Sequence, residues 1–516
     1  MVKKNIIIFG SGISGLVSAY YLALSNQFNI HIYEKNNVVG GMARSTRFEG
    51  IPSEVSWRGY GNFYNNLFEL LKNINVFDNI NNNGIDFTLF GKNSIHPNRI
   101  SLIDCPYLIY MFLKHMLSDK RKDKHYNMKV IDLLKNKVTK KTFDYLIEHL
   151  CGPGMGMDKY NASYGHYAHV AQVQLFSGGY VWNVANKPTS EAWINQLYNV
   201  LQNMGVKFSF NQSLNKIYYE NNIIKYCELD SGEKVLADDY IIAINPFMFE
   251  KILNNSELFE LSSQYKKINF QNNQISFRIG FDKKIILPKN NPSFVLLDSK
   301  NNITFYAQDY AFTKDVYLGK QLKSLWSGTC VDSYDLMKNK DLEQIKKEII
   351  IQMFESKTFN EYIKHYNGEI TPNDITHFEI FEDWYYNYDK KELETKYKKW
   401  VNNSYNEYNR PIQQTQFTNM FVCGAHTKTS LNVWSMEAAT ESGKLANNLI
   451  RKKYNLPNTH IYLHNKTNIL VELIGKIDNI FYKLHLPYFI DILIFVIVVI
   501  ILFKIFKTLQ KYKITK

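Results

Sequence analysis

The sequence predicts an α/β protein with a Rossmann-like nucleotide-binding domain at its N-terminus, and three features of the first 34 residues predict it. They are an apolar run, a glycine-spaced turn that opens a helix, and a carboxylate closing a second apolar run. Asn5-Ile6-Ile7-Ile8-Phe9 has the near-continuous apolar character of a strand covered on both faces. Gly10-Ser11-Gly12-Ile13-Ser14-Gly15 follows at once, and apolar residues then recur through Leu16, Ala19, Tyr20, Ala23 and Leu24 as on a helix. The second run, Asn29-Ile30-His31-Ile32-Tyr33, ends at Glu34.

Each position has a mechanical reason. Gly10 permits the tight turn out of the strand, Gly12 lets the backbone approach a pyrophosphate, and Gly15 lets the helix pack closely on the sheet. The phosphates then meet the free N–H groups around Ser11 and Ser14 and the positive end of the helix dipole. Glu34 lies at the distance along the chain where a carboxylate accepts hydrogen bonds from the adenosine ribose, with Lys35 beside it.

The next segment, Lys35-Asn36-Asn37-Val38-Val39-Gly40-Gly41-Met42-Ala43-Arg44, resembles the second glycine motif of the flavin-containing amine oxidoreductase superfamily. That resemblance implies FAD as the cofactor, with Gly40, Gly41, Met42 and Arg44 along its pyrophosphate. The family more often has its basic residue directly after the glycine pair. Glu54-Val55-Ser56-Trp57-Arg58-Gly59-Tyr60, followed by the helical Asn65 to Leu71, is similar to the start of phytoene-desaturase-type enzymes but lacks their G-x-H element.

Two later segments carry the same resemblance. Glu191 to Met204 reads as a helix ended by Gly205, then Val206 to Phe210 as a strand, a hairpin through Ile223 and Ile224, and a strand at Ala237 to Ala243. By position, the backbone at Leu214 is implied to hold the adenine. Phe417 to Gly424 reads as a short buried strand, and Ser435-Met436-Glu437-Ala438-Ala439 opens a helix whose wording is closest to the desaturase branch. There Gly424 and Met436 are implied to meet the flavin, whose N1–C2=O edge gains from a helix N-terminus when reduced. Ala425 stands where the family usually has Asp; a hydroxyl of Thr427 or Thr429 is the expected substitute.

The resulting expectation is a discontinuous Rossmann-like FAD-binding domain (1–85, 190–255 and 411–452) with an inserted α+β substrate domain (86–189 and 256–410). An amphipathic connector (453–486), a hydrophobic membrane-anchor helix (487–506) and a basic tail (507–516) complete the chain. Ile492 to Phe503 is apolar without a break, with Asp491 and Lys504 at its ends and lysines beyond that suit anionic lipid. Leu470, Leu473, Ile477, Phe481 and Leu484 share one face of the connector, which would lie in the interface or dock on the enzyme.

Composition excludes more than it selects. The charge of +13 has one dense internal run, Lys114 to Lys124, which contains Asp119 and Asp123 and reads as a solvated helix end, so nucleic acid is not an expected partner. Cysteines 105, 151, 227, 330 and 423 form no CxxC pair, which argues against a disulfide framework or zinc site and for a reducing compartment. No signal peptide is read at the N-terminus, so the catalytic part is expected on the cytoplasmic side of a membrane. His166 and His169 read as a surface or core pair without a metal, and Cys151 to Met157, lacking GK[ST], as an ordinary turn, with a flexible loop near the substrate as the alternative.

The expected function is an FAD-dependent oxidoreductase that takes a hydride from an apolar, membrane-soluble substrate of the isoprenoid kind. Its electrons would pass to oxygen or a quinone. An amine oxidase on the same scaffold is the first alternative; a flavin-binding isomerase or non-catalytic membrane protein is the other. No catalytic residue is assigned.

Overall fold

The computed structural model describes residues 2–514 except 57, 87–99, 155, 177–180, 269–273, 288–291, 297, 314–321, 332 and 465–466. Strand β1 (Lys4–Phe9) lies at the centre of a five-stranded sheet, with β2 (Phe28–Glu34) and then β3 (Lys207–Phe210) on one side. On the other side lie β4 (Asp239–Ile242) and β5 (Met420–Val422), and every pairing is parallel. Ile6 to Phe9 are all buried, which is why this run shows no alternation of apolar and polar residues.

Helix α1 (Ile13–Ala23) leaves the tip of β1 through the glycine turn. Gly10 has φ of +101°, and a Cβ on Gly15 would lie 2.1 Å from the Gly10 carbonyl oxygen. The turn therefore needs glycine at both positions, for conformation at one and for closeness at the other. Helix α2 (Asn65–Asn73) packs Leu67, Leu70 and Leu71 into the same core. The expected helix from Glu191 begins as a π-type turn, Ser190–Ile194, and continues as Asn195–Asn203. An antiparallel hairpin, Leu214–Glu220 with Ile223–Leu229, follows as expected.

A second sheet is antiparallel, in the order Ser293–Leu296, Ile303–Ala307, Ser324–Cys330, Ile275–Phe281, Ile375–Ile380. Ser324–Cys330 is its middle member. It has its own core, in which Trp326, Phe277 and Phe305 meet Ile345, Ile349 and Met353 of helix Leu342–Glu355. Helices α3 (Cys105–Met116) and α4 (Tyr164–Phe176) pack beside the first domain. The Cys151 region is not an ordinary turn: a π-type helix runs from Tyr145 to Gly154, because Leu146, Ile147 and Cys151 have a core to pack against. Met155 and Trp57 lie outside the described residues.

Helix α5 (Met436–Lys453) packs on α1, and two helices complete the chain: α6 (Ile469–Lys483) and α7 (Phe489–Ile514). The run Lys114 to Lys124 is not a solvated end. Arg121 bonds Asp478 on α6 at 3.1 Å and the Leu486 carbonyl at 2.8 Å, while Lys114 pairs with Asp491 at 3.1 Å. The run is the dock for the C-terminal helices, a contact that sequence spacing cannot reveal. The apolar stretch also extends beyond twelve residues: Phe489–Gln510 forms a continuous helical segment with mean hydropathy 3.1, long and apolar enough to cross a membrane. At 1.5 Å per residue its 22 residues reach about 33 Å.

Candidate active site

A cavity of about 690 Å³ opens where the helices leave the parallel sheet. Gly12 and Ser14 from the start of α1, Gly40 and Met42 from the second glycine motif, and Met436 from the start of α5 all line it. Five of the sequence-predicted residues are thus brought to one wall. Gly12 is the N-cap of α1, with no side-chain cap and no acidic residue in the first turn. That end of the helix is free to receive an anion. At α5 the Ser435 hydroxyl accepts from the Ala438 N–H at 3.1 Å.

The remaining predicted residues act from behind the wall. Ser11 is fully buried, and both its N–H and its hydroxyl donate to Glu34 Oε2, at 2.8 and 2.7 Å. Asn36 donates to Glu34 Oε1 through its backbone and side chain. The carboxylate therefore fixes the glycine turn, and an adenosine ribose would share it with Ser11 and Asn36. Lys35 lies 4.1 Å from the Tyr397 ring centroid, and burial lowers its pKa. Gly41 gives its carbonyl to Arg44 at 3.1 Å. Arg44 is otherwise taken by Asp383 at 2.7 Å, in a pair where both side chains are buried, so its charge is balanced within the protein. Leu214 sits in the core of the hairpin, and Gly424 donates its N–H to Ser442 at 3.0 Å.

Two cationic residues that sequence reasoning did not single out face the cavity. Arg58 donates to the Met42 carbonyl at 2.5 Å, and its buried Nε has no hydrogen-bond partner among the described residues. Lys399 donates to Gln274 Oε1 at 2.9 Å and lies 4.6 Å from the Trp434 ring centroid. Burial, helped by the Arg58 charge, pushes the Lys399 ammonium down to about 7. No Asp or Glu lines the cavity among the described residues. Arg58 follows directly on the glutamate motif and was within reach of the sequence; Lys399, in the stretch Lys396-Tyr397-Lys398-Lys399-Trp400, carried no signal. Most of the rest of the wall is apolar and aromatic, including Leu108, Phe112, Leu146, Tyr164 and Trp182.

An NAD(P)-binding Rossmann-like domain matches residues 8–74. A coproporphyrinogen III oxidase from Staphylococcus aureus (strain NCTC 8325 / PS 47) is 33% identical over 99 residues, a match covering 19% of this chain and 21% of that one. Among solved structures, a putrescine oxidase bound to putrescine superposes with TM-score 0.63 at 11% identity, covering 88% of this chain and 99% of that one. Cyclohexylamine oxidase from Brevibacterium oxydans IH-35A gives TM-score 0.60 at 13% identity, covering 88% and 100%. The chain shares the fold of these oxidases over most of its length.

Within that fold, FAD suits the cradle on two observations. A Cβ on Gly12 would meet no protein atom within 4 Å, so the space beside it is open, and the orphaned Arg58 Nε offers a donor beside the same wall. Ala425 also lines the cavity, but neither threonine hydroxyl replaces the missing carboxylate there. Thr427 is spent on Ser442 at 2.7 Å and the Gly424 carbonyl at 2.9 Å, and Thr429 accepts from the Asn432 N–H. Arg410, fully buried, holds this loop by donating to the carbonyls of Ala425, His426 and Thr427. His166 and His169 are core residues, bonded to Glu407 at 3.0 Å and to the Ser430 carbonyl at 2.9 Å.

The glutamate in the first turn of α5 is turned away from the cavity. Glu437 accepts from the backbone N–H groups of Asn66 and Leu67 and pairs with His464 at 3.1 Å. Burial alone would lower His464, but hydrogen bonds to Glu437 and Glu441 outweigh it and raise its pKa to about 10. A raised histidine stabilises fully below its ordinary 6.5 and loses that contribution as pH rises through 10. His464→Gln is therefore expected to cost about 1–3 kcal/mol at pH 6. The gap to wild type should shrink by pH 10.5, as read by urea denaturation at both values.

Proposed function

We propose that this chain is an FAD-dependent oxidoreductase that removes a hydride from an apolar, membrane-soluble substrate, a desaturation of the phytoene-desaturase kind. The observation that carries this reading is the cavity itself. It begins at the dinucleotide cradle and continues as an apolar chamber whose charged lining residues, Arg58 and Lys399, are both basic. When bound, FAD supplies the two-electron acceptor, which oxygen or a quinone would reoxidise. Gly12 and Ser14 would hold the pyrophosphate on the N-terminus of α1, with Gly10, Ser11 and Gly15 shaping the turn behind them. Glu34 and Lys35 frame the adenosine, which the Leu214 backbone also meets, and Gly40, Gly41, Met42, Gly424 and Met436 follow the cofactor toward the flavin. Arg44, already paired with Asp383, adds orientation rather than net charge at the phosphates.

Lys399 is the residue assigned to the proton. With its pKa near 7 it exchanges between ammonium and amine near neutral pH, inside a chamber whose apolar walls exclude water. Arg58 donates to the Met42 carbonyl, and its positive charge keeps the Lys399 amine deprotonated more often. The segments 1–85, 190–255 and 411–452 act as the cofactor domain, and the intervening segments shape the chamber. Helix α7 anchors the enzyme to a membrane.

An amine oxidase is the second reading. Phe63, Tyr64 and Trp182 form an edge-to-face cluster in the wall, with ring centroids 5.1 to 5.9 Å apart, and aromatic faces attract ammonium groups. The basic pair Arg58 and Lys399 opposes a cationic substrate and places this reading second.

The test is an absorption spectrum of the full-length protein in lipid nanodiscs, followed by anaerobic titration with polyenes and with amines. A two-banded flavin spectrum, release of FAD on denaturation, and bleaching by polyenes are expected. Bleaching by amines alone would exchange the two readings, and colourless protein that takes up no FAD would overturn both.

A further inference from the structure

The cavity has a lip on the outer surface of the molecule. Ile109 of α3 and Leu175 of α4 both line it, yet they are 57% and 53% exposed. Just before α3, Leu102 and Ile103 are each 77% exposed on a 3₁₀ turn. Exposed apolar clusters of this kind mark a partner or a lipid surface.

The start of α7 settles which. Asp491, in the first turn of that helix, accepts from the Tyr110 hydroxyl at 2.7 Å and pairs with Lys114 at 3.1 Å. Both partners lie on α3, and Tyr110 directly follows the lip residue Ile109. Ile490 packs against Met116 and Leu117, and Phe112 joins that cluster while also lining the cavity. The chain therefore enters its most apolar helix against the same helix that walls the chamber. Helix α6 extends the surface. Its inner side is tied down by Asp478, which takes Arg121 and the Phe489 N–H, and by Val471 and Ile474. Its outer side leaves Leu470, Leu473 and Ile480 exposed. The connector's apolar face is thus turned outward, not docked on the enzyme.

We infer that the bilayer receiving α7 also covers Leu102, Ile103 and the outer side of α6, and that α3 is the partition between the acyl phase and the chamber. Apolar substrates pass laterally from the membrane between Ile109 and Leu175 without crossing water. This deepens the proposed function by fixing the route of the substrate, and the contact itself requires no FAD. Burying these side chains in lipid removes apolar surface from water, which holds the lip against the membrane as well as the span.

The experiment uses full-length protein in nanodiscs of phosphatidylcholine and phosphatidylserine, with the flavin spectrum recorded on every sample. Cys105 lines the chamber and is the partly exposed cysteine; the other four are buried. An uncharged, lipid-soluble maleimide is expected to modify Cys105 at least about tenfold faster than a charged, water-soluble one. Leu175→Glu at the lip is expected to remove most of that preference. In parallel, Ile103→Cys in a Cys105→Ser background, carrying a fluorophore, should be quenched by nitroxide-bearing lipid. Equal labelling by both reagents would mean that the mouth opens to water and would overturn the route. An unquenched fluorophore on inserted protein would overturn the contact; if particle size also doubled, a second copy of the chain would be the occupant. A wild-type pattern without flavin would uphold the doorway and sink the cofactor reading instead.

Discussion

Gly12→Val is expected to yield protein that folds as wild type and is colourless. The backbone at Gly12 has φ of −66° and ψ of 173°, an extended conformation open to any residue, and a Cβ there would touch no protein atom within 4 Å. The loss of a permissive N-cap costs at most about 1 kcal/mol. The added methyl groups would instead occupy the space where a pyrophosphate meets the uncapped end of α1, so FAD affinity should fall about 100-fold or more. Titration of added FAD, with urea denaturation as the control for folding, reads both effects. Wild-type flavin content in this variant would remove Gly12 from the cofactor site. Gly15→Val makes the contrast: its Cβ would collide with the Gly10 carbonyl oxygen, and the expected result is loss of the folded domain itself.

Lys399→Met is expected to be more stable than wild type at pH 6, with the advantage fading as pH rises. The Lys399 pKa is lowered to about 7 in the folded protein, against 10.5 for the exposed group, so between those values the unfolded chain binds more protons. Wild-type stability therefore climbs through that window as the buried ammonium becomes an amine, and below pH 7 the cost of burying the charge is present in full. Replacing the ammonium with a thioether of similar length removes the cost. A gain of about 2–4 kcal/mol at pH 6, vanishing near pH 10.5, is the expected size. The same variant should lose most of its substrate-dependent flavin reduction, and the residual rate should no longer change across pH 7. A variant less stable than wild type at pH 6 would show that the amine is satisfied and charged, and would remove it from the proton-transfer role.

How much of this was legible in the sequence depends on whether the signal was local. The strand, glycine turn and carboxylate of residues 5–34 were readable because each is forced by backbone geometry within a few residues. Gly10 must take a positive φ, Gly15 must have no Cβ, and a strand covered on both faces must be apolar throughout. The hairpin after Leu214 and the helix at Met436 were readable for the same reason, as was a hydrophobic segment near the C-terminus. The π-type turn at Ser190 was not, because helix periodicity over so few residues does not distinguish the two hydrogen-bond patterns.

The chemistry lay mostly outside that reach. Lys399 carries its meaning only through Gln274, Trp434 and Arg58, which come from remote parts of the chain. Arg44 is neutralised by Asp383, 339 residues away. Arg410 looked like any loop arginine until the loop it holds had closed around it.

Residue order by itself determined the class of fold, the glycine turn of a Rossmann-like domain, and the presence of a long apolar helix, since each depends on spacing along a single element. Only the tertiary structure decided which charges face the cavity, that Lys114 to Lys124 is a dock rather than a solvated end, and that α3 stands between the chamber and the start of α7. Those outcomes depend on burial and on partners tens to hundreds of residues away. Burial sets the pKa of a lysine and the worth of an ion pair, and no linear pattern records it.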